Sequence, residues 1–363
     1  THWLGGLGII LLLIIVLPFL GAGGKLLYRS EVPGLDKQGL RPRIKDSALI
    51  LFKIYAALTV LMTILLICAG MNTFDALCHT FGTLATGGFS TRNASIAAYD
   101  SLLIEIIIVV FMIIAGTSFG LLYCISRREW RKVIWNSEWR LYILILGLSS
   151  ILITANLMGA QGIITEEGTA PTVKYTDFFG TFRMAVFQVS SIMTTTGYCT
   201  ENFDTWPFFS RSLLVALMFV GGCSGSTGGG LKVIRILFLA KIIAHHLKRT
   251  FHPKHIRIIK IDNTIIDNTV QHSVLTYFLI NIVAVIFGVL FLSLLGLPAV
   301  TAFTSIAATL NNIGPGLELV GAVETYAFIP ASGKILLSFF MAMGRLELYA
   351  ISVLLIPSFW YSR

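Results

Sequence analysis

The sequence predicts an all-α polytopic membrane protein, and three observations carry that reading. Only 12% of the 363 residues are charged, about half the share found in a soluble domain. The apolar residues run in blocks, such as Leu102–Gly116 and Val274–Leu297, of the length that reads as membrane-spanning. The basic residues gather between those blocks. A soluble enzyme, a disordered tail and a small disulfide framework are excluded at this step.

Candidate spans fall at about 3–23, 47–70, 101–126, 140–159, 209–246, 272–297 and 334–360. Three shorter stretches, 74–91, 177–200 and 298–316, are rich in Thr, Ser and Gly. They read as re-entrant segments, because irregular backbone at membrane depth is tolerated only where protein or water surrounds it. Thr1 is not an initiator Met and stands almost at the start of an apolar run, so an N-terminal portion is expected to precede it.

Charge sets the orientation. Segments 24–46, 127–140 and 232–260 hold 19 of the 27 lysines and arginines. The opposite-side segments 71–99, 159–208 and 298–333 hold only Arg92, Lys174 and Arg183, together with eight acids. The basic side is cytoplasmic, so the re-entrant stretches dip from outside, and the acidic outer face concentrates cations at the mouth. The net charge of +9 therefore reflects topology and contact with membrane lipid, and no nucleic-acid partner is expected.

Span, re-entrant segment and span recur over 47–126, 140–246 and 272–360, joined by cytoplasmic connections at 24–46, 127–139 and 247–271; 1–23 reads as the last span of an incomplete first repeat. Without gaps, Ala76, Ala185 and Ala302 align, and so do Gly88, Gly197 and Gly314. Each repeat crosses twice, so all copies share one orientation, whereas inverted-repeat carriers need an odd number of spans per copy. Parity therefore favours pseudo-fourfold repeats of helix, pore helix with filter loop, and helix around a central ion pore.

A short helix followed by Thr or Asn and then Gly suits a cation filter, in which backbone carbonyls replace the hydration shell and Gly permits the angles that aim them. The negative end of each short helix adds favourable potential. The filter residues expected to bind potassium are Thr86, Gly87 and Gly88; Thr195, Thr196 and Gly197; and Asn312, Ile313 and Gly314. A single glycine could serve only a tight turn or close packing, but three matching positions favour the filter.

The stretch 209–246 would be about 57 Å long as one helix, nearly twice the hydrocarbon core. Six of the ten residues from Gly221 to Gly230 are glycine: Gly221, Gly222, Gly225, Gly228, Gly229 and Gly230. With Cys223, Ser224, Ser226 and Thr227 between them and Lys232 beyond, they predict a flexible intramembrane loop facing the cavity. Walker spacing is absent. Arg345 lies within the last apolar span. An intramembrane charge is by default functional, here as part of a gate; a structural ion pair with Glu347 or another acid is the equal alternative. No catalytic constellation is found, and no enzyme is expected.

Taken together, these motifs resemble the TrkH/KtrB superfamily of potassium transporters. Residues Thr1–Gly8, the three filters, the loop through Arg235 and Gly344–Leu348 carry the likeness, which lies closer to the TrkH branch. The resemblance implies potassium uptake across the bacterial inner membrane, one filter glycine per repeat, and a loop and arginine that obstruct the pore when closed. It also implies a homodimer docked on a cytosolic TrkA-like nucleotide-binding ring, with no organic cofactor in this chain. Two other classes stay open: a symporter coupled to protons or sodium through Glu105 or Glu347, and a non-transporting assembly subunit.

Overall fold

A computed structural model describes residues 1–6, 44–159, 175, 177–251, 260–262, 264–265 and 268–345. The expected spans at 3–23 and 334–360, and the connections at 24–46 and 247–271, therefore lie partly outside the described residues, as does Glu347.

The chain is mostly helical. Helix α1 (Ile44–Cys68) is a long apolar span, and α2 (Thr73–Leu84) turns back into the fold. Asn72 caps α2 by accepting from the Asp75 N–H at 2.8 Å, so this helix starts at a defined residue. Next come α3 (Leu102–Ala115), α4 (Phe119–Ser126) and the short α5 (Trp130–Ile134). Helix α6 (Ser137–Gly159) is a second long span. It is followed by α7 (Phe178–Met193), whose N-cap Asp177 accepts from Phe179 and Gly180, and then by α8 (Phe208–Met218) and α9 (Val233–Phe251). Helix α10 (Asn268–Leu294) is the third long span, leading to α11 (Ala299–Leu310) and α12 (Ala331–Arg345). One departure from an all-α fold exists among the described residues. It is an antiparallel pair of two-residue strands, β1 (Lys260–Ile261) and β2 (Thr264–Ile265), between α9 and α10.

Four apolar clusters divide the packing of the described residues: a small one joins α9, the hairpin and α10 through Phe238, Ile261 and Val274, and three larger ones hold the short helices. One joins α1, α2 and α3 through Met62, Ala76 and Ile108; a second joins α6, α7 and α8 through Ile153, Val189 and Leu214; the third joins α10, α11 and α12 through Leu292, Ile306 and Phe340. Each short helix is thus wedged between two flanking helices. Polarity is arranged inside out. Thr80, Thr83, Gln188, Ser190, Ser191, Thr304 and Ser305 on the short helices are fully buried, whereas Leu61, Leu279 and Leu290 on the spans are at least half exposed. An apolar exterior around a polar interior fits a lipid solvent.

One expected span is broken. The sequence reads 101–126 as continuous, but α3 and α4 meet at a 103° bend. The cause is tertiary. The Cys223 N–H donates to Gly116 O at 2.8 Å, Thr227 N–H to Ala115 O at 3.3 Å, and Phe119 N–H to Gly225 O at 3.0 Å. The backbone groups freed by the break are satisfied by the glycine-rich loop, as burial requires.

Candidate ion pathway

The three short helices end in turns with one shared backbone course. Thr86, Thr195 and Asn312 all have left-handed φ values of 52°, 58° and 57°, and two residues on Gly88, Gly197 and Gly314 have 66°, 84° and 110°. Their hydrogen bonds match as well. Gly87, Thr196 and Ile313 donate to Gly82, Ser191 and Ala308 at 2.7, 2.9 and 2.8 Å, each five residues back. Asn and Thr tolerate the first left-handed position at some cost, and glycine takes the second with no Cβ to strain.

The turns are also neighbours. A Cβ built on Gly88 would overlap the Thr196 carbonyl oxygen, and one built on Gly197 would overlap the Ile313 carbonyl oxygen. Each of these glycines therefore lets a carbonyl of the next turn come against its own backbone. A cavity of about 980 Å³ runs alongside, lined by Thr86, Gly87, Gly88, Thr196, Gly197, Asn312, Ile313 and Gly314, and reaching Arg345. Thr195 is not among the lining residues, and its hydroxyl accepts from the Gly229 N–H at 2.6 Å. The C-terminal ends of α2, α7 and α11 converge here, so their dipoles place negative potential at the turns.

The loop from Gly221 to Gly230 lies against the inner side of those helix ends. Cβ atoms built on Gly228 and Gly229 would stand 3.2 Å from Thr194 O and 2.9 Å from Asn311 O, the two residues that cap α7 and α11. Gly221 N–H donates to Leu231 O at 2.8 Å, closing the loop's base, and Lys232 donates its ammonium to Gly228 O. Cys223, Ser224, Ser226 and Thr227 are all buried. The sequence predicts a flexible segment facing the cavity. In the structure the loop is hydrogen-bonded along its length, and none of its residues lines the cavity.

Arg345 ends the described part of α12, and its guanidinium donates to Thr227 O at 2.9 Å and to Gly5 O at 3.0 Å. Thr227 O also accepts from the Thr86 hydroxyl at 2.9 Å. One loop carbonyl therefore gathers Thr86 and Arg345. Gly344 allows this approach, since a Cβ there would overlap Leu310 O. The three turns, the loop and Arg345 form one contiguous assembly.

A family model described as TrkH, cation transport protein, matches residues 1–362. The chain belongs to the TrkH family. It is 39% identical over 361 residues to the Trk system potassium uptake protein TrkH of Salmonella typhimurium, covering 99% of this chain and 72% of that protein. The protein of the same name from Halomonas elongata is 40% identical over 360 residues, with the same coverage. The crystal structure of the potassium transporter TrkH from Vibrio parahaemolyticus matches with a TM-score of 0.83 at 35% identity, over 99% of this chain and 71% of that one. This TrkH-family chain is a polytopic membrane protein of a cation-transport family.

Sequence reasoning missed three parts of this assembly. The bend at Gly116 had only Gly116, Thr117 and Ser118 as a signal within a long apolar run. Glu138, at the start of a span, had none beyond its charge. The third is an outer clamp. Asp75 accepts from the Thr91 hydroxyl at 2.6 Å, the Asn72 amide at 2.8 Å and Arg92 at 3.1 Å, tying the segment beyond Gly88 to the outer end of α2. The Thr91 bond foremost, with help from Asn72 and Arg92, holds the Asp75 carboxyl well below the usual carboxylate range. A lowered folded-state pKa contributes stability that is present above the unfolded value and lost as pH falls below about 4. Melting of the purified protein should therefore show an acid limb below about pH 4 that is shallower in Asp75→Asn. Identical acid limbs in the two proteins would remove this role.

Proposed function

We propose that this chain carries potassium ions across the bacterial inner membrane through a channel-like pore. The filter consists of carbonyls from Thr86–Gly88, Thr195–Gly197 and Asn312–Gly314, within a pseudo-fourfold arrangement of repeats. The Gly221–Gly230 loop, with Lys232 and Arg345, is the gate. The observation that carries the reading is the seating of the Thr196 and Ile313 carbonyls against Gly88 and Gly197, since a carbonyl cage is what replaces an ion's water shell. The chemistry is displacement of water by fixed dipoles, with potassium as cargo.

Coupling to a second ion through Glu105 is disfavoured, because its carboxylate is already paired with Arg183 at 3.2 Å. Rubidium flux into proteoliposomes holding the full-length protein tests the pore. Flux that follows the rubidium gradient without an imposed proton or sodium gradient is expected. Flux that requires either gradient points to a symporter, and no flux in a correctly inserted protein, in the Arg345→Ala variant as well, points to an assembly subunit.

The working unit is a homodimer on a TrkA-like nucleotide-binding ring, which docks on the basic inner segments 127–140 and 232–260. Lys248 is exposed there; Arg257 and the Arg249 side chain lie outside the described residues. Charge reversal at Lys248, Arg249 and Arg257 should weaken co-purification of the ring while leaving topology intact. Undiminished co-purification at physiological salt rejects that surface.

A further inference from the structure

Glu138 is a buried carboxylate in the first turn of α6, only 7% exposed. Its Oε1 accepts two backbone donors, the Ser224 N–H at 2.5 Å and the Ile234 N–H at 3.2 Å. Ser224 lies in the glycine-rich loop, and Ile234 lies in the first turn of α9. The Ile234 N–H has no acceptor within its own helix, because the first four donors of any α-helix lack one, and the helix dipole favours an anion at that end. Burying a carboxylate is costly unless it is hydrogen-bonded. Here one oxygen fastens both the loop and the helix that follows it onto α6.

The adjacent residue connects this anchor to the inner surface. Ser137 donates its hydroxyl to Asp262 Oδ1 at 2.5 Å and its N–H to Asp262 Oδ2 at 3.1 Å. Asp262 stands in the turn between β1 and β2, and Lys241 of α9 donates to Lys260 O of the same hairpin at 2.7 Å. A continuous path therefore runs from the hairpin through Asp262, Ser137 and Glu138 to Ser224. At its far end the loop touches the filter through Thr195 and Thr86.

We infer that Glu138 is the positioning residue that holds the loop in its obstructing place, and that Ser137 and Asp262 make this hold responsive to the cytoplasmic hairpin. The inference rests on the reading of the loop as a gate. A carboxylate suits the task better than a neutral acceptor, since charge-assisted hydrogen bonds are roughly twice as strong as neutral ones. Glutamine keeps the acceptor oxygen and the shape, so it retains part of the hold, whereas alanine retains none.

The test uses full-length protein in proteoliposomes without its regulator, and two readouts. The first is rubidium flux. The second is the methanethiosulfonate labelling rate of the native Cys223, which is fully buried next to Ser224, in a background where the other four cysteines are serine. Glu138→Ala is expected to raise flux and labelling about tenfold, and Glu138→Gln about threefold, from the loss of hydrogen bonds to a charged acceptor. A residue with only a structural role would lower flux when removed. Arg345→Ala serves as the reference. If it raises flux while both Glu138 variants match wild type, the Glu138 inference is overturned and the gate stands. If none of the three raises flux, gate and inference fall together. Should Glu138→Ala not assemble, Glu138→Gln decides alone, and Cys223 labelling no faster than wild type overturns the inference.

Discussion

Gly197→Ser in the full-length protein is expected to cut discrimination of potassium over sodium about tenfold or more, a loss of ~1.4 kcal/mol between the two ions, while insertion and folding persist. Two features of the position lead to this result. Its φ of 84° is left-handed, which costs a non-glycine residue roughly 1–2 kcal/mol. Its Cβ would also overlap the Ile313 carbonyl oxygen, so either the serine or the oxygen must move. That oxygen belongs to the proposed cage, and a cage discriminates between ions through the number and placement of its dipoles. The folding cost is confined to one turn of a fold held by four apolar clusters, whereas the displaced carbonyl acts directly on the ion. Gly88→Ser should behave alike, because its Cβ would overlap Thr196 O. Competition of sodium against rubidium uptake measures the effect. Unchanged discrimination in both inserted variants would count against the filter.

The parts of this assembly that were legible in the sequence are those governed by local rules. The long spans announce themselves as uncharged apolar runs, and α1, α6 and α10 stand where those runs are. Gly88, Gly197 and Gly314 align without gaps, and each occupies a left-handed φ that its type favours. What was not legible depends on partners distant in sequence. Nothing within Leu102–Ser126 requires a 103° bend; the requirement comes from Cys223 and Thr227, more than a hundred residues away, which take the carbonyls of Gly116 and Ala115. Glycine count also predicts flexibility for the loop, because the rule concerns the isolated chain. The folded loop instead finds acceptors and donors in Thr195, Thr86 and Glu138. For Arg345, acid pairing is one of two expectations; its guanidinium also reaches the backbone carbonyls of Thr227 and Gly5. Carbonyls are present at every residue, so sequence inspection gives no hint of which one an arginine reaches.

On the proposed reading, a filter and a gate share one site and are held by different sets of bonds. The turns proposed as the filter are closed by bonds within their own segments, from Gly87 to Gly82 and from Thr196 to Ser191. The loop is held mainly by bonds to other segments. Breaking the second set leaves the first intact, so the proposed gate is expected to open without loss of selectivity.

Arg345→Ala is accordingly expected to raise rubidium flux about tenfold or more in the absence of the regulatory ring. The guanidinium bridges Thr227 O and Gly5 O at 2.9 and 3.0 Å, and hydrogen bonds to charged groups contribute ~1.5–3 kcal/mol each. The obstructed state therefore gains ~3–6 kcal/mol before water replaces those bonds on opening. If only ~1.4 kcal/mol survives that exchange, removing the side chain shifts the closed-to-open ratio tenfold. Loss of a fixed positive charge beside a cation pathway acts in the same direction. Arg345→Lys separates the two contributions, since lysine keeps the charge but lacks the planar fork that spans two carbonyls. It should release the loop in part while still repelling the ion, giving a smaller rise than alanine. Deleting Ser226–Gly228 removes Thr227 O itself, and with it the shared acceptor of Arg345 and Thr86, so partner-free flux should rise again with selectivity retained. If the alanine variant and the deletion both insert and fold, and neither raises partner-free flux, the loop and Arg345 do not gate this pathway.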